Sequence, residues 1–138
     1  MGRELKIRID NGETAFERGS IGPWTDRSAF LASTLGTGSD IFVSNEPFMT
    51  YRFVPEPGIT ATASFEGDRL TGITVMMRMS TDDDQIWTEK LEIARKRIHD
   101  DWLRAEFGEP PYRFDWGSIE SIFDQKSCIG DVIISYSR

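Results

Sequence analysis

The chain has one cysteine and one histidine among 138 residues, and that scarcity removes whole classes of function at the outset. A lone Cys128 excludes an intramolecular disulfide framework and a multi-cysteine zinc site, and it agrees with a reducing compartment. A lone His99 excludes a two-histidine metal pair. Long apolar runs are missing as well: Ile73–Met77 and Val132–Ile134 fall far short of the ~20 residues that span a bilayer. Residues 1–6 contain no apolar stretch of the kind found in an export signal, and Lys6 stands where a myristoylation signal wants Ser or Thr. The expected location is therefore cytoplasmic. No P-loop or dinucleotide fingerprint occurs, since Gly36-Thr37-Gly38 lacks the rest of either pattern, and no internal repeat is visible.

Basic residues are the minority charge. Sixteen Lys and Arg against 23 Asp and Glu give a net charge of −7, which opposes the phosphate backbone of nucleic acid and an anionic membrane surface. Neither nucleic acid nor membrane is an expected partner; a basic protein is. Moderate acidity also serves solubility by itself.

What the chain does have is enough apolar residue, 38%, to bury one continuous core without staples. The expectation is a single domain over residues 1–138, with residues 1–24 forming an edge strand plus loop. Leu5–Asp10 alternates apolar and charged residues as a half-buried strand does, and Asn11-Gly12 marks a turn. Residues 11–25, rich in Gly and polar groups, read as a loop. Thr25 or Asp26 can cap a short helix carrying Ala29 and Phe30, stopped at Gly36. Ile41–Val43 suits either a short strand or a packed loop. Met49–Val54, Ile59–Phe65 and Leu70–Met79 then form a meander, with a bulge expected near Gly72, where Leu70 falls out of phase with Ile73, Val75 and Met77.

The main helix is predicted to start at Ser80–Asp84, with acids at the positive end of its dipole, and to close at Gly108 before Pro110-Pro111. Trp87, Leu91, Ala94, Ile98 and Trp102 draw one apolar stripe at helical spacing. Glu92 and Lys96 suit an i,i+4 ion pair, and Arg95-Lys96-Arg97 reads as a solvated face. Tyr112–Phe123 and Val132–Tyr136 complete the strands. The fold class is thus α+β: an antiparallel sheet of about five to six strands with one long amphipathic helix and one short helix packed against it.

Candidates for chemistry are thin. Asp100 and Asp101 follow His99 directly, but adjacent helical residues project about 100° apart, so neither carboxylate shares the imidazole's face. His99 is read as a surface or cap residue, and Cys128, with neither base nor oxyanion site beside it in sequence, as a half-buried bystander. Asp82-Asp83-Asp84 lacks the spacing of a calcium loop and is accounted for by the helix dipole. No catalytic residue, metal ligand or cofactor is expected.

Trp102-Leu103, Phe107-Gly108-Glu109-Pro110, Phe114-Asp115-Trp116-Gly117, Asp124 and Ile133-Ile134-Ser135-Tyr136 resemble small bacterial immunity proteins of contact-dependent or type VI toxin systems, across roughly residues 25–138. The resemblance implies a protein that binds and neutralises a cognate secreted toxin by direct contact, and it transfers no functional residue. Charge and expected exposure alone single out Asp82, Asp83, Asp84, Asp100, Asp101, Glu109 and Asp115 as partner-binding candidates facing a basic toxin domain. Two other classes remain open. A small-molecule-binding or enzymatic domain would show an open pocket at His99 or a tight carboxylate pair. A structural subunit of a secretion apparatus would self-associate, with a homodimer as the simplest form.

Overall fold

The computed structural model describes residues 4–78, 88–124 and 129–137. The start expected for the main helix, residues 80–84, and both Trp87 and Cys128 lie outside them. Two antiparallel sheets, a long helix and a short one make up an α+β fold.

The N-terminal sheet has the order β1-β2-β3, from β1 (Lys6–Ile7), β2 (Thr14–Phe16) and β3 (Gly19–Ile21). This corrects the loop expected over residues 11–25. Thr14, Phe16 and Ile21 are buried, so the polar, Gly-rich composition conceals a short inward-facing alternation. Two carboxylate contacts bind this sheet to the rest of the chain: buried Glu56 accepts from the Glu4 amide at 3.0 Å and from the Glu17 amide at 3.3 Å.

α1 (Arg27–Ala32) starts as expected, with the Asp26 carboxylate accepting from the Ala29 amide at 2.7 Å. It delivers Phe30, fully buried, into a ring cluster with Tyr51, Phe53 and Phe65 at centroid separations of 5.2 to 6.0 Å.

The second sheet is seven-stranded, in the order β4-β5-β6-β7-β10-β9-β8. Its strands are β4 (Asp40–Asn45), β5 (Phe48–Glu56), β6 (Ile59–Glu66), β7 (Arg69–Met77), β8 (Tyr112–Phe114), β9 (Gly117–Asp124) and β10 (Ile129–Tyr136). The expected meander is β5-β6-β7, and the expected bulge is there: Ser64 pairs with Gly72 and Phe65 with Leu70, leaving Thr71 as the extra residue. The single strand expected over Tyr112–Phe123 is instead two, joined by a tight turn at Asp115-Trp116 where Phe114 pairs with Gly117. Gly117 has a φ of 153°, and a Cβ there would lie 1.8 Å from the Ser135 carbonyl oxygen. Only glycine fits, and that close approach permits the reversal. Trp116, although in the turn, is buried and donates its indole N–H to the Ile9 carbonyl at 3.0 Å.

α2 (Glu89–Phe107) begins at Thr88, whose hydroxyl accepts from the Leu91 amide, and lies against β7, β9 and β10. Its buried line is not the expected stripe. Leu91, Ala94, Ile98 and Trp102 are half-buried, whereas Glu92, Arg95, His99 and Leu103 are buried. The inward direction is therefore turned about one residue, or ~100°, from the apolar stripe.

Candidate functional site

Four of the seven expected partner-binding acids lie among the described residues. Asp82, Asp83 and Asp84 lie outside the described residues. Asp100 is half-buried in the middle of α2, where Lys96 holds it at 2.9 Å; Glu92 therefore does not form the i,i+4 pair with Lys96 that the spacing suggested. Burial pushes the Asp100 carboxyl up, but Ser121, Lys96 and Arg104 together hold it below its usual value. Asp101 is exposed one residue on. Glu109 is exposed beyond the end of α2 and accepts from Arg104 at 3.3 Å, and Asp115 is exposed in the β8–β9 turn. Of the described acids among these, only Asp100 lines the cavity of about 770 Å³ between α2 and β8–β9, which it shares with Lys96, Arg104 and Arg113.

The charged residues that α2 turns inward form a polar cluster at the end of β7. Strand β10 pairs with β7 only as far as Val132 opposite Val75, so among the described residues the backbone of Met77 has no strand partner on that side. Side chains from α2 take the strand's place. His99 Nε2 accepts from the Met77 amide at 3.1 Å, and the Arg95 guanidinium donates to the Met77 carbonyl at 2.6 Å. Arg95 also grips Glu92 with two parallel bonds of 2.9 and 3.0 Å. This corrects two expectations: Arg95 is not part of a solvated face, and His99 is fully buried rather than at the surface. Since Nε2 is engaged with the backbone and the ring is out of solvent, His99 sits in no open pocket. Its placement satisfies backbone groups that would otherwise be stranded. Sequence periodicity could not find it, because that method scores charged residues as outward-facing.

A feature the sequence left ambiguous stands out on the surface. Strand β4 covers Ile41–Val43, and all of its residues are exposed. Ile41, Phe42, Val43, Phe48 and Val54 expose between 46% and 63% of their surface, against a core in which comparable side chains fall below 9%. Strand β4 pairs with β5 on one side and is a sheet edge on the other. The register shifts between Ile41 and Val43, which makes Phe42 the bulged residue, and the Arg52 guanidinium lies over its ring at 5.7 Å from the centroid.

The opposite edge, β8, shows how this sheet closes an edge elsewhere. Strand β8 has three residues, follows Pro110-Pro111 and carries Arg113, all devices that discourage a further strand. Strand β4 has six residues, with Asp40 at its start, a bulge at Phe42 and Pro47 beyond its end; between them Val43, Ser44 and Asn45 keep a regular ladder with β5. The edge most able to accept another chain is thus also the most apolar exposed strand of the sheet.

Among the described residues no group of three or more His, Cys, Asp and Glu is placed to hold a metal ion, and no helix is long and apolar enough to cross a membrane. Fold and surface together define an α+β chain with an apolar sheet edge. No family model, no curated protein and no solved structure matches it.

Proposed function

We propose that this chain is an immunity protein that neutralises a cognate secreted bacterial toxin by direct binding, and that β4 is the strand on which the toxin docks. The observation that carries the docking site is the exposure of Ile41, Phe42 and Val43 along a sheet edge, with Phe48 and Val54 also exposed on the neighbouring strand β5. Exposed apolar patches mark protein-binding surfaces, and an open edge offers main-chain hydrogen bonds to an incoming strand. The net charge of −7 favours a toxin domain of opposite sign and speeds the encounter, while the apolar edge supplies the contact that desolvates. Direct toxin binding is also what the sequence resemblance over residues 25–138 would imply. The acids Asp100, Asp101, Glu109 and Asp115 then act as long-range field rather than as the contact itself.

The test is co-purification of this chain with an inactivated form of the toxin domain encoded beside it, comparing the native sequence with Phe42→Lys/Val43→Lys. One-to-one capture that is lost in the double variant, at unchanged thermal stability, supports the reading. Capture that survives the double variant but fails when Asp100, Asp101, Glu109 and Asp115 are neutralised overturns the docking site. Absence of any captured toxin, or a native chain that only pairs with itself through β4, overturns the function.

A further inference from the structure

A cleft of about 670 Å³ opens beside the start of β4, between the loop of residues 34–40, the ends of β5 and β7, and the first turns of α2. Arg18, Arg52, Arg78 and Arg95 all line it, brought from separate parts of the chain. That gathering runs against the composition, since acids outnumber bases by 23 to 16. The carboxylates on the same wall are Asp40 and Glu92.

Those carboxylates do not account equally for the guanidinium groups. Glu92 and Arg95 close on each other with two short bonds, so that pair is internally neutral. Asp40 stands 3.8 Å from Arg52, outside hydrogen-bond range, and both side chains are at least half exposed. Arg18 is exposed, and the one hydrogen bond its guanidinium makes among the described residues goes to the Val54 carbonyl, at 3.0 Å. A guanidinium has five N–H donors, so most of the Arg18 fork remains for a ligand. The Val54 carbonyl that anchors Arg18 lies two residues along β5 from Arg52, about 6.6 Å of strand. Both cations therefore reach one small volume. Leu35, Phe53 and Leu91 supply apolar wall, and the volume suits a small molecule.

We infer that this cleft binds a small phosphorylated molecule, with Arg18 and Arg52 sharing its phosphoryl oxygens and the apolar wall receiving its organic part. A phosphoryl group is favoured over a carboxylate because its three terminal oxygens present a two-oxygen edge to each of two forks and carry up to twice the charge, whereas a carboxylate has a single such edge. On binding, the phosphoryl group takes the place of Asp40 as the close partner of Arg52. The cleft adjoins the proposed docking edge and shares Asp40 and Val54 with it, but the inference rests on Arg18 and Arg52 and does not depend on a toxin docking on β4.

Titration of the full chain with phenyl phosphate, followed by calorimetry and by backbone amide shifts, tests the assignment. Saturable binding is expected, tighter than that of inorganic phosphate, with amide shifts at Thr37, Gly38 and Ser39. Arg52→Gln and Arg18→Gln should each weaken it at least about tenfold, the size of one lost charge-assisted contact. Arg113→Gln, on the far side of the sheet, should leave it unchanged. If Arg18→Gln fails to fold for want of its bond to Val54, Arg52→Gln alone decides. Benzoate binding as tightly as phenyl phosphate, binding untouched by Arg52→Gln, or no saturable binding at all overturns the site.

Discussion

Met77 shows how a single residue can dictate the chemistry of a helix. Its amide and carbonyl emerge where β10 has parted from β7, and a buried, unpaired peptide group costs about as much as a lost hydrogen bond. His99 and Arg95 meet that need, and Glu92 then neutralises the charge that Arg95 brings inside. Removing either half of such a buried pair takes two charge-assisted bonds from the other. Glu92→Ala and Arg95→Ala should therefore each lower stability by about 3–5 kcal/mol in urea unfolding, and the double variant by much less than their sum. Tyr136 makes a second residue-scale case. Burial pushes its phenol up to about 12, against a smaller opposing effect of the hydrogen bond with Thr14. The folded state thus keeps a proton that the unfolded state releases near pH 10. Its contribution is fully present below pH 10 and declines as pH rises towards 12, by about 2–3 kcal/mol in all. Unfolding curves between pH 9 and 12 should show that decline in the native chain and a flatter response in Tyr136→Phe.

At the scale of elements, the same sheet closes one edge and leaves the other open. Strand β8 is short and set behind two prolines; β4 is longer, apolar and exposed. The β8–β9 reversal rests on Gly117, whose missing side chain admits the Ser135 carbonyl. Gly117→Ala should unfold the terminal hairpin or destabilise the chain by more than about 2 kcal/mol, visible as a large fall in the midpoint of thermal unfolding. Substitutions on β4 should behave in the opposite way. Val43→Lys, on an exposed edge, is expected to change stability by no more than about 0.5 kcal/mol while removing capture of a docked chain, so that stability and binding separate. Elements with a strong local pattern matched expectation, among them α1 with its Asp26 cap and the β5-β6-β7 meander with its bulge. Those lacking one did not, such as β2 and β3, whose three-residue alternations are too short to stand out among glycines and polar residues.

Over the whole molecule, the seven-stranded sheet carries a single connected core, with α1 packed on β5 and β6, α2 on β7, β9 and β10, and the N-terminal segment reaching from Glu56 of β5 to Trp116 and Tyr136. The net charge of −7 acts at this scale and is indifferent to which acid carries it. If it steers a basic partner, the association rate should fall by about tenfold or more between low and high ionic strength while the dissociation rate changes little, a split that stopped-flow mixing resolves.

The sequence by itself determined the fold class, the sign of the long-range field, the order of the principal elements and most of the core, because alternation, capping and charge are local properties. Ala61, Ala63, Phe65, Ile73 and Val75 are buried as their period requires. Tertiary structure alone decided which way α2 faces, since the demand of the Met77 backbone arises only after β10 and β7 have diverged. It also decided that Ile41–Val43 lies at an edge instead of between strands, because strand order is set by pairing between segments far apart in the chain. For the same reason the arginines of residues 18 and 52 become neighbours only when β4 and β5 close the sheet beside the N-terminal strands.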